Sequence, residues 1–158
     1  MHPANEEWSA SEWLTLRLGP VWVLSALVGR IRFDAVEQEA FWRIVDEVGR
    51  RHPGLASRLM DAAFDNRDWL FDEFELDGRP VVSGLSQVVS LLERTSAEAS
   101  AEAREAILEV GHGFARARGP FGRRESQADT QVLLLVAQLL ETTTETARNN
   151  PLNSHLPI

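Results

Sequence analysis

Glu109 and His112 stand three residues apart. Carboxylate-bridged di-iron bundles use this spacing to present a glutamate and an imidazole to one metal from one helix face. Such a centre needs a second Glu-x-x-His pair and two further glutamates. No other histidine has an acid at that spacing, and His52 follows Gly49. Gly111 and Gly113 beside His112 loosen a helix, or let a second helix come close. Asp61, Asp65, Asp68 and Asp72 recur at intervals of four, three and four, with Glu73, Glu75 and Asp77 close behind. On a continuous helix they form one acidic stripe. Oxygen ligands at this density can hold a hard divalent cation such as calcium or magnesium, and the same residues serve equally as a solvated face. Arg116, Arg118, Arg123 and Arg124 surround Gly119-Pro120-Phe121-Gly122 ahead of a helix start. Guanidinium forks and free N–H groups there can bind an anion or a partner chain. This basic loop and the acidic 61–77 stretch are complementary in sign, which suits pairing within the fold or across a dimer.

The alphabet limits the chemistry further. The 158 residues include no Cys, Lys or Tyr, and all sixteen basic side chains are Arg. Disulfides, zinc ribbons, iron–sulfur clusters and thiol nucleophiles are excluded, as are Walker-type loops and Schiff bases. A net charge of −8 argues against a nucleic-acid partner. The longest apolar run, Val132 to Ala137, is far short of the roughly 20 residues that span a bilayer. The first eleven residues lack the basic and apolar regions of a signal peptide, so a cytoplasmic location is expected. Arg-only, Ala-rich usage fits a GC-rich bacterial genome.

The elements that must position these groups are helical. Ser9 with Glu12, Asp34 with Glu37, and Thr95 with Glu98 read as capping boxes. Gly19-Pro20, Gly29, Gly49, His52-Pro53 and Gly119-Pro120-Phe121-Gly122 read as breaks. Ser126 opens a last helix with Val132, Leu133, Val136, Leu139 and Leu140 on its apolar face. Residues 65–82 suit a short helix followed by a turn, or a small hairpin around Asp77-Gly78. Trp22 and Trp42 lie on apolar faces, whereas Trp8 and Trp13 sit in a polar N-terminal helix and pin it to the body or form a self-association face. No linker divides the chain. The expectation is an all-α, single-domain bundle of about seven helices over residues 1–148, with an irregular tail over 149–158.

A shift of 92 residues brings two segments into register: Gly19 falls on Gly111, Asp34 on Ser126, Glu37 on Asp129, Phe41 on Leu133 and Ile44 on Val136. Each copy reads as apolar helix, short loop, N-cap, acid three residues on, then apolar helix, a pseudo-repeat. Residues 115–119 (Ala-Arg-Ala-Arg-Gly) and 125–129 (Glu-Ser-Gln-Ala-Asp) precede the apolar run Val132 to Ala137, and Val28-Gly29-Arg30-Ile31 with Asp34 and Glu37 is a weaker echo; the pattern they mark covers about a third of the chain. In them the sequence resembles the TerB-like helical domains associated with tellurite resistance. That resemblance implies an all-helical fold, a stress-linked role and cation binding at acidic turns. Arg30 and Arg123 stand in this chain's turns, where that family places acids. The leading expectation is a non-enzymatic bacterial interaction module, acting through a protein partner or homodimer and a divalent cation. The alternative is a metal-dependent bundle enzyme or ligand-binding protein built on Glu109, His112 and neighbouring carboxylates. A third is an anion or nucleotide sensor using the Arg loop.

Overall fold

Helix caps and Gly or Pro punctuation divide the chain much as the spacing predicts. A computed structural model describes residues 8–141; His2, His155 and the tail expected over 149–158 lie outside the described residues. The described helices are α1 (Ala10–Arg17), α2 (Gly19–Val28), α3 (Ala35–Arg51), α4 (Gly54–Asp65), α5 (Arg67–Asp77), α6 (Val81–Leu92), α7 (Ala97–Arg118) and α8 (Gln127–Glu141), with a 3₁₀ turn (Pro120–Gly122) before α8. They form an all-α bundle with no strand among the described residues. Two junctions are single residues, Leu18 and Asn66.

Ser9 and Asp34 cap α1 and α3 in reciprocal boxes with Glu12 and Glu37. The third cap sits one residue later than expected. Ser96 accepts from the Ala99 N–H at 3.1 Å, while Thr95 donates its hydroxyl to the Leu92 carbonyl and finishes α6. Gly49 does not end α3, which continues to Arg51. The missing side chain there admits Met60 of α4, whose Cβ would lie 3.1 Å from a Cβ at 49. Residues 65–82 are α5, a left-handed Gly78, and the start of α6 at Val81, so the hairpin alternative is not realised.

α7 is the axis on which α2, α3, α4 and α8 pack. Gly19 meets Ile107, Val23 meets Gly111, and the Leu27 carbonyl accepts from Arg118, so α2 runs parallel to α7. α3 runs antiparallel, with Ile44 on Gly113 and His52 beside Glu102 and Glu109. α8 is also antiparallel: Leu133 rests on Gly111, and Arg104 donates to the Leu140 carbonyl at 3.2 Å. α2 is buried from Gly19 through Ser25 and again at Leu27, as befits a helix covered on all sides. α1, α6 and α8 close the packing around it.

The aromatic residues fix the outer helices. Trp22 lies flat against Gly84 of α6 and donates to the Arg79 carbonyl. Arg79 in turn pairs with Asp77 at 2.7 Å and donates to Thr15 Oγ1 at 2.9 Å, joining α1 to the α5–α6 turn. Phe33, Phe41, Trp42, Phe71 and Phe74 form one ring cluster under α5. Trp8, just ahead of the Ser9 cap, stacks on Trp13 at 5.4 Å and donates to the Leu91 carbonyl, docking the N-terminal helix within the chain. No helix among the described residues is long and apolar enough to cross a membrane.

A Cβ at position 84 would lie 2.1 Å from Trp22 Cε2. Gly84→Ala should therefore cost about 3 kcal/mol, the upper end of ordinary overpacking. Ser83→Ala, on the exposed side of the same helix, should stay within about 0.5 kcal/mol. Urea denaturation of the two variants checks this.

Candidate functional site: the convergence of two helix turns

At the α2–α3 turn, Gly29 takes φ +73 and reverses the chain, and Ser25 Oγ donates to the Arg30 carbonyl at 2.6 Å. Arg30 then grips Glu37 with two bonds of 2.9 and 2.7 Å. At the α7–α8 turn, Arg118 grips Asp129 with bonds of 2.9 and 2.6 Å and donates to the Leu27 carbonyl at 2.6 Å. Ser126 Oγ accepts from the Asp129 amide at 3.1 Å. Each hairpin thus carries the same clasp, a guanidinium from before the next helix closed on an acid in that helix's first turn. Glu37 and Asp129 are the acids that the 92-residue shift superimposes. The Glu37 carboxylate serves cap and ion pair at once, accepting from the Asp34 amide as well as Arg30, whereas Asp129 gives its amide to the cap and its carboxylate to Arg118. Bidentate charge-assisted pairs of this kind fix direction as well as distance. Hydrogen bonds from Arg30 hold the Glu37 carboxyl below its ordinary value against the opposing effect of burial, and Arg118 adds attraction across the two turns.

Between α3 and the end of α7 lies a cavity of about 370 Å³. Val36, Ala40, Phe114 and Ala117 give it apolar walls; Glu37, Glu39, Arg43 and Arg118 add charge. The neighbouring loop presents Phe121, which is 91% exposed. Phe121 has φ +62, the one positive φ outside glycine among the described residues. Arg116, Arg123 and Arg124 around it are exposed and make no ion pair among the described residues. Of the four expected anion-site arginines, Arg118 is thus spent on the clasp and three remain free.

Glu109 and His112 are not brought to one point. Glu109 faces Arg51, at 3.4 Å, and His52 Nε2. His112 Nδ1 instead pairs with Glu125 before α8, and its side chain is 37% exposed. The acidic stripe is also divided. Asn66 breaks the helix, donating its amide to the Ala62 carbonyl, so Asp61 and Asp65 belong to α4 and Asp68 and Asp72 to α5. All four are exposed, with no ion pair to the basic loop. Among the described residues, no three His, Asp or Glu side chains gather as a cation would require.

His52 is the polar centre that spacing arguments passed over. Its side chain is 7% exposed, and its two ring nitrogens engage Glu102 and Glu109 of α7. Those glutamates lie seven residues apart, hence on one face of α7, which was the available signal. Burial pushes the imidazole pKa down, but the hydrogen bonds and charges of the two glutamates outweigh it, and the net shift is upward. The chain matches no protein-family model, no curated protein and no solved structure with which it was compared.

A raised histidine pKa contributes stability that is complete below the ordinary value of 6.5 and is lost as pH rises through the folded value. The lowered pKa of Glu37 acts oppositely, contributing above 4.5 and failing as pH falls through its folded value. His52→Gln should therefore lower Tm most near pH 5.5 and approach wild type near pH 9. Thermal melts showing an equal gap at both pH values would refute a charged imidazole between the glutamates.

Proposed function

We propose that this chain is a non-enzymatic, cytoplasmic helical interaction module, TerB-like in its paired capped turns, that docks a partner protein on the face where those turns converge. Phe121 carries the reading. A phenyl ring held in water on a left-handed backbone gains nothing for the isolated fold and costs about 1–2 kcal/mol in backbone energy. The adjacent cavity and three free guanidiniums supply the neighbouring features of a docking surface, since aromatic and Arg side chains dominate binding energy at interfaces. The carboxylates at the turns are already matched by Arg30 and Arg118, so the face as folded offers positive charge.

Replacing Phe121 with a benzophenone amino acid and irradiating cells of the natural host tests this. Expected are protein adducts that disappear when Arg123→Glu and Arg124→Glu are added. The reading is overturned if adducts at 121 are no more abundant than those from the same probe at Leu135, an exposed site on α8. Phe121→Gly should leave stability unchanged or raise it by up to about 1 kcal/mol, because relief of the left-handed strain offsets the added chain entropy.

A further inference from the structure

We propose that the occupant of this face is a second copy of the chain, whose acidic α5 surface receives the Phe121 loop. The inference rests on the docking reading above and names its partner. Its ground is that one end of the molecule carries both halves of a complementary contact. The loop 29–34 lies between them. On one side Arg32 pairs with Glu75 at 2.7 Å, and Phe33 packs on Phe71 and Phe74, placing α5 against the loop. On the other side the Leu27 carbonyl accepts from Arg118, placing the α7–α8 turn there.

Neither half is satisfied internally. Arg116, Arg123 and Arg124 are exposed around Phe121, and Asp68 and Asp72 are exposed on α5, the helix that also carries Trp69, itself 39% exposed. Carboxylates and a part-exposed indole on one helix suit a guanidinium twice over, through bidentate pairing and through cation–π attraction. Two patches of opposite sign flanking one loop form the self-complementary surface that a two-fold axis requires. An axis beside loop 29–34 sets each basic loop on the other copy's acidic face, so every dimer contains the contact twice. The net charge of −8 per copy opposes approach at long range. At about 0.1 M salt that repulsion is screened beyond roughly 10 Å, whereas pairs in contact keep their attraction.

Light-scattering mass of the purified full chain, measured across concentration, tests the inference. Wild type should pass from monomer to dimer in about 0.1 M salt and need roughly tenfold more protein to do so in about 0.5 M salt. Arg123→Glu with Arg124→Glu should be monomeric, as should Asp68→Arg with Asp72→Arg. Mixing these two variants should restore a dimer, because both contacts then regain opposite charges; that recovery also shows that each variant is folded. A wild type that stays monomeric, or a mixture that fails to dimerise, overturns the inference. If the benzophenone probe at 121 nevertheless captures a different protein, the second copy is refuted while the docking face stands. If it captures nothing, both are refuted.

Discussion

The closeness with which α7 lets its neighbours approach governs this structure. A Cβ at Gly111 would lie 2.6 Å from Val23 of α2 and 2.7 Å from Leu133 of α8, and one at Gly113 would lie 2.7 Å from Ile44 of α3. Three helices therefore touch the backbone of α7 within one turn. Their rotation about α7 follows from that contact, and it determines which side chains meet. His112, between the two glycines, is turned away from the crowded side toward Glu125. Nearer the start of α7, Glu102 and Glu109 are aimed at the α3–α4 junction and its imidazole.

The two clasps depend on this geometry. Arg118 reaches both Asp129 and the Leu27 carbonyl because α2 and α8 flank the end of α7 together. Arginine suits the position, since its fork can satisfy a carboxylate and a carbonyl at once, whereas an ammonium would act as a point charge. The all-Arg alphabet thus acquires a structural meaning. The turns are rigid frames held by fixed cations, and the Phe121 loop is built on one of them.

Much of the fold was legible because its determinants are local. Ser9 with Glu12 and Asp34 with Glu37 act over three residues, and the Gly78 and Gly29 reversals act over one. The Thr95–Ser96 choice was not legible: either hydroxyl can cap, and the end of α6 claims the threonine. The candidate site was less visible. Glu109 and His112 share a spacing, but packing turns them to partners 57 and 13 residues away. The matched acids Glu37 and Asp129 were found by the repeat, yet their guanidinium partners were not, since Arg30 and Arg118 do not superimpose under the same shift. Gly-Pro-Phe-Gly announces a turn without revealing that its phenylalanine takes the positive φ.

The parallel seam between α2 and α7 also sets an order of events at the ribosome. α2 is buried almost throughout, and its carbonyl partner Arg118 lies 91 residues downstream of Leu27. An apolar helix made early must therefore wait for most of the chain before its cover exists. During synthesis the segment Val21–Leu27 is an uncovered sticky stretch, the kind of surface that chaperones hold and that associates wrongly when crowded. The α7 glycines that permit tight packing in the finished molecule arrive only after α1 to α6. Closure of the α2–α7 seam is consequently a late, long-range event.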